Sequence, residues 1–374
     1  RGSMGATVVV GMSGGVDSSV AAALLVEQGY RVIGIMLRLW SEEGREQENR
    51  CCTPDDMAQA RRVAAILGIP FYAVDVRELF RDTVVQNFLD GYRAGITPNP
   101  CLVCNRQIRW GHMLEQALKL GADYLATGHY ACLDLAEDGK VQLLRAVDGK
   151  KDQSYVLSML NQKQLSRTLF PLGGLTKQVV REMALNYRLP TARRSESQDL
   201  CFLGGEDYRT FLKRYVPEAA SPGPIYNGDG ARLGEHDGLA FYTIGQRKGL
   251  KISHPQPLFV LDKKMGENAL IVGPAEQLGQ QCLETEGFNW IAEESPCEPF
   301  TAEVKIRYRA ALAAAEIQPL ANGNVRMVFE RWQRDITPGQ VAAVYQGRAV
   351  LGGGRIARVG GRRADDVPTD ERTV

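Results

Sequence analysis

The feature that most constrains this fold is a short stretch near the start of the chain, where three valines lead into a glycine-rich loop. Val8-Val9-Val10 predicts a buried strand, because β-branched residues favour strands. Gly11-Met12-Ser13-Gly14-Gly15 follows as a loop, and Val16-Asp17-Ser18-Ser19 predicts the first turn of a helix. Such a helix directs its unpaired N–H groups and its positive dipole end at the loop. The stretch therefore predicts an anion site, and phosphate is the usual ligand of such loops.

Two common phosphate-binding motifs do not describe this loop. A Walker A motif needs a Lys-Ser or Lys-Thr pair after its last glycine, and none follows Gly15. The dinucleotide motif needs three glycines in the order G-x-G-x-x-G, which is also absent. The remaining alternatives are a different class of phosphate loop and a glycine-rich turn that binds no ligand.

The first half of the chain alternates predicted strands and helices. Strands are predicted at residues 8–10, 31–37, 71–76 and 124–126, and helices at 55–67, 78–89 and 105–120. This alternation predicts an α/β, doubly wound parallel sheet with helices on both faces. Ligands of such sheets bind beyond the carboxyl ends of the strands, where the glycine-rich loop and Gly128 both fall.

The second half of the chain has a different character. From residue 221 onward, short β-type runs alternate with turns such as Asn227-Gly228-Asp229-Gly230. Residues 141–144 predict an edge strand, and residues 154–165 predict a helix. We expect a catalytic domain at 4–209, a small mixed or β domain at 210–280, a C-terminal β-barrel at 281–361 and a polar tail at 362–374.

Composition restricts the class of protein. The chain has 374 residues, a formal net charge of +1 and eight cysteines. A net charge near zero means that a nucleic-acid surface must be a local patch. No apolar run is long enough to cross a bilayer and no signal peptide is apparent, so we expect a cytoplasmic protein that does not bind membranes. Cysteines in a reducing compartment are more often catalytic or metal-binding than disulfide-bonded.

Two cysteine sites have a context that suggests chemistry. Cys101 and Cys104 lie in Thr97-Pro98-Asn99-Pro100-Cys101-Leu102-Val103-Cys104-Asn105, at the start of a predicted helix that Asn105 caps. A helix N-terminus lowers the pKa of a thiol, and Arg106 and Arg109 favour the thiolate further. Half of a zinc site and a packed loop are the alternatives, although no second ligand pair is apparent. Cys201, beside Phe202, fits a buried inert thiol when considered alone. Roles are left open for the other cysteines: Cys51, Cys52, Cys132, Cys282 and Cys297.

An ordered series of motifs gives a more specific indication. Ser-Gly-Gly-x-Asp-Ser-Ser resembles the PP-loop of the ATP pyrophosphatases. It is followed by Thr-Pro-Asn-Pro-x-x-x-Cys-Asn, Thr-Gly-His-Tyr-Ala, Lys-Asp-Gln-Ser-Tyr, Phe-Tyr-Thr-Ile-Gly-Gln-Arg-Lys-Gly, Arg-Tyr and Thr-Pro-Gly-Gln. Over nearly its whole length the chain resembles the bacterial tRNA-specific 2-thiouridylases. That resemblance implies a PP-loop domain of the adenine nucleotide α-hydrolase type, a small central domain and a C-terminal β-barrel.

The resemblance also implies roles for individual residues. Asp17, Cys104 and Cys201 would be catalytic, with Cys104 as nucleophile and Cys201 as carrier of persulfide sulfur. ATP would be bound by Gly11, Met12, Ser13, Gly14, Gly15, Val16, Asp17, Ser18, Leu37 and Gly128. Transfer RNA would be bound by Asn99, Pro100, Cys101, His129, Lys151, Asp152, Gln153, Arg307, Tyr308 and Gln340, the first three at the target base.

The chain departs from the family at Cys101, where many members have aspartate. Cys-x-x-Cys then replaces Asp-x-x-Cys, and Cys101, Cys104 and Cys201 could together supply three soft ligands. A [4Fe–4S] cluster held by three cysteines leaves one iron open for sulfide. The sequence therefore leaves two sulfur chemistries open, a persulfide relay and an iron–sulfur cluster.

The function implied is ATP-dependent 2-thiolation of the wobble uridine of tRNA through an adenylated 2-oxo intermediate. ATP with Mg²⁺ would be consumed, and an upstream sulfur-donor protein or sulfide would supply sulfur. The expected nucleic-acid partner is tRNA and not DNA. Two alternatives are a PP-loop ligase or amidotransferase acting on a small metabolite, and a tRNA-binding module without turnover.

Overall fold

The computed structural model describes residues 5–44, 53–195 and 200–360. Cys51 and Cys52 lie outside the described residues, as do four residues just before Leu200. In the described residues the strands are β1 Thr7–Gly11, β2 Arg31–Arg38, β3 Phe71–Asp75, β4 Tyr124–Ala126, β5 Ala131–Leu135, β6 Val141–Arg145, β7 Thr168–Leu169, β8 Gly223–Tyr226, β9 Arg232–His236, β10 Phe259–Lys264, β11 Ala269–Gly273, β12 Gln280–Trp290, β13 Phe300–Lys305, β14 Ala313–Pro319, β15 Val325–Gln333, β16 Val341–Gln346 and β17 Ala349–Val359.

The helices are interrupted in two places by wider π-helical turns. The α-helices are α1 Val16–Glu27, α2 Pro54–Leu67, α3 Arg77–Phe80, α4 Gln86–Arg93, α5 Pro100–Val103, α6 Leu114–Lys119, α7 Gln162–Leu165, α8 Lys177–Asn186 and α9 Tyr208–Tyr215. A π-helical stretch, Arg81–Val85, connects α3 to α4, and another, Cys104–Met113, connects α5 to α6. In the described part of the chain, no helix is both long and apolar enough to cross a membrane.

The first unit is built on a five-stranded sheet in the order β3-β2-β1-β4-β7, with every pair parallel. The valines of β1 are fully buried and alternate between two layers. Val8 and Val10 pack in a cluster with α1 and α8, whereas Val9 packs with Trp110 and Met113 on the opposite face. A strand buried on both faces reads as a continuous apolar run, which is what the three valines showed. The predicted α/β doubly wound sheet is confirmed.

The C-terminal unit is a closed barrel. Strands β12, β15, β14, β13, β16 and β17 pair in that order, and β17 pairs again with β12. Closure leaves the barrel without a free edge. The smaller central sheet has the order β10-β11-β8-β9, with β8 and β11 parallel and its other pairs antiparallel. The predicted sequence of fold types is therefore confirmed, and the exact limits given for each domain stay a prediction.

The units share structure more extensively than the sequence indicated. The hairpin β5–β6 of the first unit extends the barrel sheet, because Leu143 and Leu144 of β6 pair with Val350 and Ala349 of β17. The prediction that residues 141–144 form an edge strand was wrong, since β6 has a neighbour on each side and β5 is the edge. Phe88 of α4 packs on Phe202, with ring centroids 5.2 Å apart, within a core that continues into the central sheet.

One predicted helix is broken. Residues 154–165 contain a short 3₁₀ helix, Ser154–Leu157, and then α7, instead of one continuous helix. The Asn161 side chain begins α7 by accepting a hydrogen bond from the Gln164 amide at 3.0 Å. A capping residue in the middle of an apolar run therefore starts a new helix there.

Candidate active site

The glycine-rich loop connects β1 to α1 and is held by hydroxyl groups from the first turn of α1. The Ser13 N–H donates to Ser18 Oγ at 3.1 Å, and Ser19 Oγ donates to the Gly15 carbonyl at 2.7 Å. Gly15 is the N-cap residue in an extended conformation. The helix therefore begins where the sequence predicted, and its first amides face the loop, as an anion site requires.

Two glycines let other backbone segments approach this loop closely. Gly14 has φ +73°, and a Cβ there would lie 2.5 Å from the Asp56 carbonyl oxygen at the start of α2. A Cβ on Gly128 would lie 2.8 Å from the Ser18 nitrogen. Residues larger than glycine would displace these backbones. The structure thus brings Gly128, after β4, against the first turn of α1, as expected for two parts of one ligand site.

The Asp17 carboxylate is paired with two side chains of the protein, Lys177 and Tyr130. Lys177 Nζ donates to its two carboxylate oxygens at 2.7 and 2.8 Å, and the Tyr130 hydroxyl donates to Oδ1 at 2.8 Å. The Lys177 side chain is 11% exposed and that of Asp17 30%. The sequence analysis did not identify Lys177, whose partner lies 160 positions away. Tyr130 could have been identified, because it belongs to the Thr-Gly-His-Tyr-Ala motif.

Arg194 is a second residue that the sequence analysis missed. Its guanidinium donates to the Gly14 carbonyl at 2.9 Å and forms ion pairs with Asp55 and Asp56, both at 2.8 Å. These contacts fasten the loop to the first turn of α2. Arg194 also belongs to the segment that leads to Cys201, so the loop and the second cysteine are connected through this segment.

The first cysteine pair lies at a helix start, as predicted. Asn99 is the N-cap residue of α5, Pro100 is its first residue, and Cys104 begins the π-helical stretch. Cys101 is exposed and Cys104 is buried. The prediction that Asn105 caps the helix was wrong, because the helix begins earlier, at Pro100, whose fixed φ suits a first helical position. The Asn105 side chain instead donates to the Val156 carbonyl at 3.0 Å.

Cys104 and Cys201 pack against the same apolar cluster. Cys201 is half-buried at the start of a short 3₁₀ helix, Cys201–Leu203, and Cys104 belongs to the buried core on which it packs. Leu37, at the carboxyl end of β2, is also part of this surrounding shell. In the described residues no group of three His, Cys, Asp or Glu side chains is placed to hold a metal ion. The three-cysteine ligand set therefore is not assembled, and the iron–sulfur cluster stays a prediction.

The residues that resemblance assigned to tRNA differ widely in exposure. Cys101 and Tyr308 are exposed, Pro100, His129 and Asp152 are buried, and Asn99, Lys151, Gln153, Arg307 and Gln340 are intermediate. Several of them bond to the protein itself. Asp152 accepts from the Ala146 amide and the Ser154 hydroxyl at 2.9 Å each, and Arg307 forms an ion pair with Asp335. Tyr242, in the Phe-Tyr-Thr-Ile-Gly-Gln-Arg-Lys-Gly motif, is also buried, so its ring is not available to stack on RNA.

His129 is held as a neutral imidazole. Its Nδ1 lies 2.8 Å from Thr127 Oγ1, and Arg109 donates to its Nε2 at 3.1 Å. Burial, followed by the positive charge of Arg109, lowers the pKa of His129 well below its usual range. An Nε2 that accepts from a guanidinium has no proton, so the ring proton resides on Nδ1. The Arg109 guanidinium therefore points at the His129 ring and also donates to the Asn105 side-chain oxygen at 3.4 Å.

Comparison with known families agrees with this arrangement. A family model described as "tRNA methyl transferase HUP domain" matches residues 6–205. Models described as "tRNA methyl transferase PRC-barrel domain" and "Aminomethyltransferase beta-barrel domain" match residues 209–274 and 280–356. These three matches follow the order of the three units in the structure.

Relatives of similar length give a more specific name. The tRNA-specific 2-thiouridylase MnmA of Chloroflexus aurantiacus is 47% identical, over 94% of this chain and 99% of its own. The proteins of the same name from Magnetococcus marinus and Moorella thermoacetica are 46% and 48% identical, over 93% and 94% of this chain and 98% and 99% of theirs. Among solved structures, a 4-thiouridine synthetase in complex with RNA and ATP is 14% identical, covers 57% of this chain and 51% of its own, and has a TM-score of 0.34. That structural similarity is too low to support an argument. The near-complete matches to the relatives show that the chain belongs to the tRNA-specific 2-thiouridylase family.

Proposed function

We propose that this protein uses ATP to replace the 2-oxo group of the tRNA wobble uridine with sulfur. The observation that carries the proposal is a shared apolar cluster: Cys104 lies in its buried core, and Cys201 and Leu37, which lies near the carboxyl end of β2, both pack against that core. Family membership supports the choice of tRNA, since the relatives are named as tRNA-specific 2-thiouridylases. The proposed reaction needs one bound nucleotide and two thiols. The glycine-rich loop before α1 would bind the nucleotide, and Cys104 and Cys201 would supply the thiols.

The first step is adenylation of the uridine. O2 of the base attacks the α-phosphate of ATP, pyrophosphate leaves, and an O2-adenylated uridine remains. This step is needed because the oxygen of uracil is a poor leaving group, whereas AMP is a good one. The first-turn amides of α1 and the loop of Gly14 and Gly15 would hold the departing pyrophosphate. Mg²⁺ would arrive already bound to the phosphates of ATP. The Asp17 carboxylate already binds Lys177 and Tyr130, which orients the first turn of α1.

The second step transfers sulfur. The terminal sulfur of a Cys201 persulfide attacks C2, and AMP leaves. The uridine and Cys201 are now joined by a mixed disulfide, and the Cys104 thiolate attacks its Cys201 sulfur, which breaks the S–S bond. This releases 2-thiouridine and leaves a disulfide between Cys104 and Cys201, which a thiol reductant returns to two thiols. A protein persulfide donates this sulfane sulfur to Cys201 by exchange; if sulfide is the upstream source instead, it attacks the adenylated C2 directly and displaces AMP without a persulfide. No step here passes through an iron–sulfur cluster, since the three cysteines are not assembled as a ligand set in the described residues.

Among the residues proposed to touch tRNA, Cys101 and Tyr308 are the exposed ones. Tyr308 is exposed, and Lys305 Nζ lies 5.7 Å from the centre of its ring. Aromatic and basic side chains of this kind stack on unpaired bases and bind phosphates. Cys101, exposed in the first turn of α5, is next to the proposed position of the target base. Our expectation of a cytoplasmic enzyme that binds neither DNA nor membranes belongs to the same proposal.

The test is incubation of the protein with ATP, a persulfide donor, a thiol reductant and unmodified tRNA. We expect AMP and pyrophosphate in amounts that match 2-thiouridine in the digested tRNA, identified by mass spectrometry. A ligase or amidotransferase would release AMP without thiouridine, and a non-catalytic binding module would release neither. Since the family models are described with a methyl transferase name, a parallel reaction with S-adenosylmethionine is included. A methylated uridine, instead of a thiolated one, would overturn the proposal.

A further inference from the structure

The segment that leads into the cysteine helix is held by a turn of the distant barrel. This barrel turn, residues 337–340, connects β15 to β16. The Thr97 N–H donates to the Pro338 carbonyl at 3.0 Å, and Gln340 Nε2 donates to the Thr97 carbonyl at 2.9 Å. Both backbone groups of Thr97 are therefore paired with one turn, more than 200 positions later in the chain.

The barrel turn is itself fixed to the barrel. The Gly339 N–H donates to the Ile356 carbonyl at 2.9 Å, and the Ile356 N–H donates to the Gln340 carbonyl at 2.8 Å. Gly339 has φ +92°, and a Cβ there would lie 2.9 Å from the Thr97 carbonyl oxygen. Only glycine allows both this conformation and this approach. The turn that contacts Thr97 is thus itself bonded to β17 through both backbone groups of Ile356.

The short segment that connects Thr97 to Cys104 has little conformational freedom. Pro98 and Pro100 fix two of the three φ angles between Thr97 and the helix. A Cβ on Gly91 of α4 would lie 2.8 Å from the Pro98 ring, so the ring packs directly against the backbone of α4. Asn99 then occupies the N-cap position of α5, which continues into Cys104. A shift of the barrel turn would therefore move the start of the helix and the thiol with it.

We propose that Gln340 is a positioning residue for Cys104: its carboxamide holds Thr97 so that the thiol reaches the activated base. The resemblance gave Gln340 a contact with tRNA, whereas in the structure its side chain donates to the Thr97 carbonyl and lies 3.5 Å from that of Pro98. The inference deepens the proposed function and rests on it. It makes the barrel part of the sulfur-transfer site, in addition to any tRNA surface it provides.

The experiment compares Gln340→Ala and Gln340→Glu with wild type and with Gln346→Ala, an exposed glutamine at the end of β16. Glutamate keeps the size of the side chain and removes its donor, so it separates the hydrogen bond from packing. Hydrogen exchange of the peptide covering residues 96–104 is measured without substrates. Thiolation in a single turnover, AMP release and tRNA affinity are measured on the same samples, after thermal melting confirms that each variant is folded.

For both Gln340 variants we expect exchange at residues 96–104 to become about tenfold faster and single-turnover thiolation at saturating tRNA about tenfold slower, as for one lost hydrogen bond. The loss should appear in the maximal rate of thiolation, and Gln346→Ala should change neither quantity. A rise in KM for tRNA with an unchanged maximal rate would overturn the inference in favour of a direct tRNA contact. Unchanged exchange would also overturn it, even if wild-type protein makes no thiouridine. Failure of the proposed function is therefore distinguishable from failure of this inference.

Discussion

The phosphate loop and the cysteine helix form opposite parts of the proposed site, and they are held in different ways. The loop is held within the nucleotide-binding unit: Ser18 and Ser19 bond back to Ser13 and Gly15, and Arg194 and Lys177, later in the same unit, bond to Gly14 and Asp17. The cysteine helix depends on remote residues, with the barrel turn at Thr97 and the Val156 carbonyl at Asn105. The first arrangement could form in an isolated nucleotide-binding unit. The second requires all of the chain to be folded.

This difference has a consequence for function. ATP can be bound and adenylation prepared at a site that contacts within the nucleotide-binding unit organise. Sulfur transfer needs a thiol whose position is set by the C-terminal unit. The hairpin β5–β6 reinforces the same connection, because it follows the Gly128 segment directly and pairs with β17 of the barrel. Variants should therefore separate adenylation from thiolation according to which part of the molecule they disturb.

The largest separation is expected from the two cysteines. Cys104→Ser and Cys201→Ser should each reduce thiolation by more than about a hundredfold, because a hydroxyl can neither carry sulfane sulfur nor attack a persulfide. AMP release should stay within about twofold of wild type. Cys297→Ser, at an exposed cysteine, is the control and should leave both activities unchanged. Full thiolation by either active-site variant would remove the basis of the sulfur relay.

A variant beside the glycine-rich loop should instead impair the ATP step. In Gly128→Ala the new methyl group would meet the backbone of Asp17 and Ser18 at 2.8 Å, where neither atom can move freely. Overpacking of this kind costs about 1–3 kcal/mol, and if that cost falls on binding, ATP binds about five to 150-fold more weakly. Calorimetric titration with ATP measures this loss. Gly174→Ala is the matched control, because a Cβ there meets nothing within 4 Å. Equal ATP affinity for the two variants would show that Gly128 is not part of the nucleotide site.

The same difference explains what the sequence could predict. The strand, the loop and the start of α1 follow from residues within one short window, and the structure confirms them. The parallel sheet follows from the alternation of elements. The partners of Asp17, Thr97 and Asn105 are set by packing over 50 to more than 200 positions, and no local pattern specifies them. The edge assignment of β6 failed for the same reason, since its second neighbour comes from another unit.

Asp17 provides a test of stability instead of activity. Asp17→Asn leaves the largely buried Lys177 ammonium without a carboxylate, and we expect the free energy of unfolding to fall by about 2 kcal/mol. Chemical denaturation measures this value. Glu115→Gln removes one partner of the exposed pair with Lys119 and should have no measurable effect. If the two variants were equally stable, the ion pair beside the loop would not be structural. A loss of activity in an Asp17 variant must therefore be corrected for the fraction folded.

The smallest effect concerns pH and again distinguishes a buried from an exposed group. Burial and Arg109 hold the pKa of His129 well below its usual range. As pH falls below about 6.5, the unfolded chain takes up a proton at this residue and the folded chain does not, so stability decreases toward acid. From pH 7 to pH 6 the loss is about 0.7 kcal/mol. His129→Asn should remove that part of the slope of unfolding free energy against pH, although it also lowers stability at every pH. His254→Asn, at an exposed histidine, should leave the slope unchanged. An acid slope that persists in full in His129→Asn would mean that His129 takes up its proton in the folded protein as readily as in the unfolded chain.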